Sequence, residues 1–131
     1  VDFFKKYNDN YGHLKGDEIL QKVGEIISSL FNTSNYIPIR YGGEEFLIIM
    51  NNTSYEESTT LINNLIKKIR AENIPHEYSE ASDIVTISVG IKTTTIVSSS
   101  EFWAAIKAAD TALYTAKRQG RNRYIHSNDI K

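Results

Sequence analysis

The chain has 131 residues, the span of one domain and too short for two ordinary ones. Fifteen Lys and Arg against sixteen Asp and Glu leave a formal charge of -1, which excludes a nucleic-acid binder driven by phosphate neutralisation alone. Hydrophobic residues at 40 % and charged ones at 24 % describe a folded globular chain, and the absence of Cys excludes disulfides, thiolate catalysis and thiolate-held metals.

In chain order, Val1-Asp2-Phe3-Phe4 is already apolar and strand-like, so the sequence reads as a piece of a longer protein with its first strand truncated. Gly16 to Phe31 carries Ile19, Leu20, Val23, Ile26, Ile27 and Leu30 at the spacing of an amphipathic helix, with Asp17 and Glu18 at its acidic start. Ile37 to Tyr41 and Phe46 to Met50 read as two strands joined by the tight turn Gly42-Gly43-Glu44-Glu45. Ser54, with Glu57 in the capping-box position, opens a helix to about Arg70. Residues 73 to 82 form a polar loop, and the β-branched run Ile84 to Ile91 forms a central strand. Ser100 caps a last helix that ends at Gly120, and Asn122 to His126 is a short final strand. Trp103 is expected in the core. The predicted order is β-α-β-β-α-β-α-β, an α+β, ferredoxin-like arrangement with a central, mainly antiparallel sheet flanked by helices. No apolar run approaches the roughly 20 residues of a membrane span, and no signal peptide is visible.

Three features carry chemistry, each with a plainer alternative. Glu44 and Glu45 are adjacent carboxylates in a glycine turn, suited to a hard divalent cation or to nothing more than a solvated tip, and Asp2 could join them. Lys117 and Arg121 are spaced to share one helix face and could grip a di- or triphosphate, although cations at a helix C-terminus stabilise it without any ligand. Asn8 and Asp17 could read a guanine edge, or serve as a turn residue and a first-turn helix acid. His13 reads as a packed or loop-bonded histidine with no catalytic role.

In sequence order these features resemble one family. Asp2-x-Phe4-Lys5-x-x-Asn8-Asp9-x-x-Gly12-His13-x-x-Gly16-Asp17, Arg40-Tyr41-Gly42-Gly43-Glu44-Glu45-Phe46, Ser88-Val89-Gly90, and Ala109-Asp110-x-Ala112-Leu113-Tyr114-x-Ala116-Lys117-x-x-Gly120-Arg121-Asn122 are similar to the GGDEF diguanylate cyclases, in their active Glu-Glu form. The resemblance spans nearly the whole chain and implies a GGDEF domain over residues 1–131, on a nucleotidyl-cyclase palm-type fold, without its extreme N-terminal helix and the start of its first strand.

The resemblance further implies condensation of two GTP into cyclic di-GMP and two pyrophosphates by a face-to-face homodimer. In that scheme Asn8 and Asp17 read guanine, and backbone amides of Phe3, Phe4 and Lys5 wrap the phosphates. Lys117 and Arg121 hold the terminal phosphates. Glu44 and the Val1 carbonyl bind Mg2+ (or Mn2+), and Glu45 has a catalytic or metal role. The family's other metal-binding Asp precedes the residue matching Val1, so residues 1–131 alone are expected to be slow or inactive. Thr33 and Tyr36 stand where many members carry the Arg and Asp of an inhibitory product site, so none is expected here. An upstream sensor or receiver domain and a cytoplasmic location, free or as part of a membrane-anchored protein, are also implied, with no nucleic-acid or membrane contact by the domain itself. The competing readings are a GTP-binding regulatory domain without turnover and a dimerisation module without nucleotide.

Overall fold

The computed structural model describes Val1 to Ile130. Its elements are α1 (Phe4–Tyr11), α2 (His13–Leu30), β1 (Tyr36–Gly42), β2 (Glu45–Met50), α3 (Tyr55–Ala71), β3 (Ser88–Ile91), α4 (Ser99–Arg118) and β4 (Arg123–His126), then a 3-10 turn at Ser127–Asp129. The expected strand at Val1 to Phe4 is instead a lead-in to α1, because no strand among the described residues runs beside it to form a ladder. The Asp2 N–H makes a lone bond to the Thr86 carbonyl at 2.9 Å, and Phe4 and Tyr7 are buried from one face of α1. The strand predicted over Ile84 to Ile91 shortens to β3 for the same reason. Upstream of it the backbone makes isolated contacts, among them Val85 N–H to the Ile74 carbonyl.

The hairpin and the three predicted helices form, but Gly42 and Glu45 join the strands, α2 starts at His13 rather than Gly16, and α1 is a helix the sequence reading lacked. β1 and β2 pair antiparallel, with an irregularity between Arg40 and Gly42. Ser54 accepts the Glu57 N–H at 3.1 Å as the N-cap of α3. For α4 the cap is Ser98 rather than Ser100, since it is Ser98 Oγ that accepts the Glu101 N–H, at 3.2 Å. β3 and β4 run parallel, with Ser88 opposite Arg123 and Ile91 opposite His126.

The core lies where α1, α2 and α3 meet the strand region from Val85 to Ile91. It contains Phe4, Tyr7, Ile19, Leu20, Val23, Ile27, Phe31, Ile62, Leu65, Ile69 and Val85. The α4 helix seats against β3 through Gly90, where any Cβ would collide with the backbone of Ala109 and Leu113. Small residues continue that contact, and Ala112 and Ala116 are fully buried. Trp103 lies off this seam and is 59 % exposed, which corrects its expected place in the core. The α+β class stands, but the described strands form two separate pairs, β1–β2 and β3–β4. A cavity of about 930 Å³ lies between them, lined by residues of β2, β3 and α4.

Candidate active site

Asp2 organises the region around the predicted site residues, and it does so as a structural acceptor. It is 3 % exposed. Its carboxylate accepts the Thr86 hydroxyl at 2.8 Å, the Ser88 hydroxyl at 2.5 Å and the Asn122 N–H at 2.9 Å. With its oxygens so engaged, it is a clamp rather than the additional cation ligand the sequence allowed for.

The hairpin tip is exposed, and both Arg40 Nε and Nη2 donate to the Gly43 carbonyl, at 3.0 and 2.7 Å, fixing the turn that presents Glu44 and Glu45. A cavity of about 580 Å³ brings Val1, Glu44, Glu45 and Lys117 to one space, together with Tyr41, Trp103 and Asp110. No group of three His, Asp or Glu side chains among the described residues forms a ready-made metal cage. Two carboxylates around open space suit a hard cation that draws its remaining oxygens from a polyphosphate.

Lys117 is in the last turn of α4, where the helix dipole also favours it. Arg121 is not on the helix, which corrects the shared-face reading. Gly120 takes φ +115°, and the Arg121 N–H bonds to the Ala116 carbonyl at 2.9 Å, the pattern of a Schellman C-cap. Arg121 and Asn122 then adopt left-handed φ values of +63° and +54°. That turn is held by Asp2 on the Asn122 N–H. Arg70 also holds it, donating to the Asn122 side-chain and main-chain oxygens at 2.8 and 3.0 Å.

At the other wall, Phe3 has φ +52° and supplies no side-chain cap to α1, whose first turn has no acidic residue. Among the described residues the amides of Phe4 and Lys5 have no partner, leaving them as helix-start donors of the kind an anion requires. His76, fully buried, reaches the Phe3 carbonyl through Nε2 at 3.0 Å; because a carbonyl only accepts, Nε2 carries the proton. Neither His76 nor Arg70 stood out in the sequence, because a lone loop His and a helix-terminal Arg carry no pattern.

Asn8 on α1 and Asp17 on α2 flank the point where the two helices touch. A Cβ on Gly16 would collide with Asn8 Oδ1, so that glycine lets the amide lie flat against α2. Asn8 Oδ1 is buried and has no hydrogen-bond partner among the described residues. Because α2 starts at His13, Asp17 belongs to its second turn, beyond the reach of the helix-start role the sequence had left open. It is exposed and makes no hydrogen bond or ion pair among the described residues. His13 is exposed rather than packed.

The family profile described as diguanylate cyclase, GGDEF domain, matches residues 1–123. The chain belongs to the GGDEF domain family. Among curated relatives, diguanylate cyclase A of Treponema denticola is 37 % identical over 129 residues, covering 98 % of this chain and 34 % of that protein. Diguanylate cyclase DosC of Escherichia coli K12 is 37 % identical over 123 residues, covering 94 % of this chain and 26 % of that protein. This GGDEF domain thus spans about a third or less of these relatives. Among solved structures, the GGDEF domain of DgcB from Caulobacter crescentus, determined in complex with c-di-GMP, superposes with a TM-score of 0.85 at 28 % identity, covering 98 % of this chain and 74 % of that one. The active GGEEF domain of a diguanylate cyclase from Vibrio cholerae gives 0.81 at 29 %, covering 99 % and 80 %. No helix among the described residues is long and apolar enough to cross a membrane.

Proposed function

We propose that this GGDEF domain condenses two GTP into cyclic di-GMP and two pyrophosphates, acting as a face-to-face homodimer with Mg2+ (or Mn2+). The observation that carries the reading is the single cavity shared by Val1, Glu44, Glu45 and Lys117, with the free amides of α1 and Arg121 on the Phe3 side. Asn8 and Asp17 orient guanine, the carboxylate accepting from N1–H and the exocyclic amine. The backbone amides of Phe3, Phe4 and Lys5, with Lys117 and Arg121, fix the triphosphate and spread its charge. Glu44 and the Val1 carbonyl hold the cation, with Glu45 beside them. When bound, the cation supplies charge neutralisation at the α-phosphate and lowers the pKa of the attacking 3′-hydroxyl. Each subunit holds one GTP, so the dimer turns an encounter into a positioning step.

The sheet is completed by residues that precede Val1. Among the described residues β2 and β3 each pair on one side only, and their first residues, Glu45 and Ser88, line the same cavity as Val1. A strand leading into Val1 would fill the space between them antiparallel to both, unite the two pairs into one sheet, and carry the remaining metal acid. A sensor or receiver segment upstream, and a cytoplasmic location, complete the proposal. At the surface many members use for product feedback, the Tyr36 ring packs edge-on against Phe31 at 5.5 Å and Thr33 offers no charge, which supports the absence of inhibition there.

The test uses the full-length native protein at high concentration with GTP and Mg2+, read for cyclic di-GMP by mass spectrometry, beside Glu44→Ala. Product from the wild type alone supports the cyclase. GTP binding and dimer formation without product would favour the regulatory, non-catalytic alternative, and no GTP binding would leave only a dimerisation module.

A further inference from the structure

The Arg121 guanidinium lies over the Phe3 ring, 4.2 Å from its centroid, and the Lys6 ammonium lies 5.0 Å from the same ring. Lys6 also pairs with Glu80 at 3.5 Å, but Arg121 makes no ion pair and its guanidinium makes no hydrogen bond among the described residues. Phe3 and Arg121 are both non-glycine residues in left-handed conformations. Such conformations persist where surrounding contacts over-determine them. Here those contacts are His76 on the Phe3 carbonyl, and Asp2 and Arg70 on Asn122.

We propose that the Phe3 side chain is a positioning element for Arg121, holding its guanidinium by ring stacking so that it meets the terminal phosphates of a nucleoside triphosphate already oriented. The proposal rests on the nucleotide-binding reading above and adds to it a role for a side chain whose backbone alone had been implicated. The physics favours a ring over a carboxylate here. A carboxylate would occupy the guanidinium's edge donors and cancel its charge. An aromatic face takes only the flat side and leaves the N–H edge and the charge for phosphate oxygens. Stacking also removes in advance part of the side-chain freedom that Arg121 would otherwise lose on binding.

The test compares wild type, Phe3→Leu and Phe3→Tyr in the full-length protein. Leu keeps the apolar volume without the π face, and Tyr keeps both. With GTP and Mg2+ in a calorimeter, Phe3→Leu should bind roughly three- to tenfold more weakly and Phe3→Tyr within about twofold of wild type. GMP, which lacks the terminal phosphates, should bind Phe3→Leu and wild type alike. In an Arg121→Gln background, Phe3→Leu should add no further loss, as one residue acting through the other requires. A second readout needs no nucleotide: Nε relaxation of Arg121 in the free protein should show an ordered side chain in wild type and Phe3→Tyr and a mobile one in Phe3→Leu. Equal GTP affinity of Phe3→Leu and wild type, an undiminished loss in the Arg121→Gln background, or a mobile Arg121 in wild type each overturns the proposal. An ordered Arg121 in a protein that binds no GTP would support the stacking and refute the nucleotide reading alone.

Discussion

The Asp2 carboxylate accepts the Asn122 N–H at 2.9 Å, joining the segment before α1 to the turn after α4 across 120 residues of chain. Two walls of the candidate site, Phe3 to Lys5 and Gly120 to Asn122, are therefore held in register by one buried side chain. The same carboxylate reaches Thr86 and Ser88, so the strand region leading into β3 is tied to both.

Asp2→Ala should accordingly behave as a stability variant. It leaves the buried Thr86 hydroxyl, and the partly buried Ser88 hydroxyl and Asn122 N–H, without their acceptor, at a cost of about 2–4 kcal/mol. Urea denaturation followed by far-UV circular dichroism measures this. Asp2→Asn should also be destabilised, because its NH2 group faces donors. A variant as stable as wild type would mean that water replaces the lost acceptor and that Asp2 is not the clamp.

The site was legible in the sequence where chemistry sits within one short motif, and less so where a distant contact decides the geometry. Glu44 is in the turn its glycines imply, with Glu45 opening β2 beside it, and Ser54 caps α3 as its spacing requires, because those features are settled by neighbours in the chain. Asp2 looked like a ligand because a carboxylate near a metal motif carries no mark of being saturated by Thr86, Ser88 and Asn122. Arg121 looked helical because its spacing from Lys117 fits a helix, whereas Gly120 and the Asp2 and Arg70 contacts turn the chain back. Trp103 looked buried by its size, but the α4 seam is selected by Gly90, which admits only small residues opposite. The first strand read from Val1 to Phe4 had the right residues and no ladder to join.

Gly16→Ala should separate recognition from folding. The added methyl group must displace the Asn8 amide, and the Phe4 ring lies 3.2 Å from where it would sit. The Asn8 side chain can swing outward, so the stability loss should stay near 1–2 kcal/mol. Guanine recognition should suffer far more, with GTP affinity falling at least about tenfold as Asn8 leaves its place. Thermal unfolding without ligand and calorimetry with GTP provide the two readings. A variant that binds GTP normally would remove Asn8 from the recognition site.

Asp17→Ala should give the complementary pattern. Asp17 is exposed and makes no contact within the described protein that its loss would break, so the unliganded melting temperature should stay within about a degree. A carboxylate accepting two N–H groups from guanine makes charge-assisted hydrogen bonds, and its removal should weaken GTP binding by roughly 10- to 100-fold. ATP offers no matching pair of donors and should bind equally weakly to both proteins. Parallel losses for GTP and ATP would show that Asp17 acts through something other than the guanine edge.

His126 should make stability depend on pH near neutrality. The ring is buried, its Nδ1 accepts the Asn128 N–H at 3.1 Å, and its Nε2 lies 2.8 Å from the Thr93 hydroxyl. An occupied Nδ1 acceptor places the proton of the neutral ring on Nε2, which donates to Thr93. Burial, with a smaller contribution from Lys92, lowers the native pKa below its ordinary 6.5, while Asp129 opposes this and Tyr55 packs its ring at 4.2 Å. The unfolded chain therefore binds the proton first as pH falls. The stabilising contribution is complete above about 6.5, declines between 6.5 and the native pKa, and stops changing below it. Urea midpoints from pH 8 downward should fall through that window, and the native imidazole should titrate below 6.5 by NMR. A native midpoint at or above 6.5 would mean that Asp129 outweighs burial and would reverse the sign of the slope.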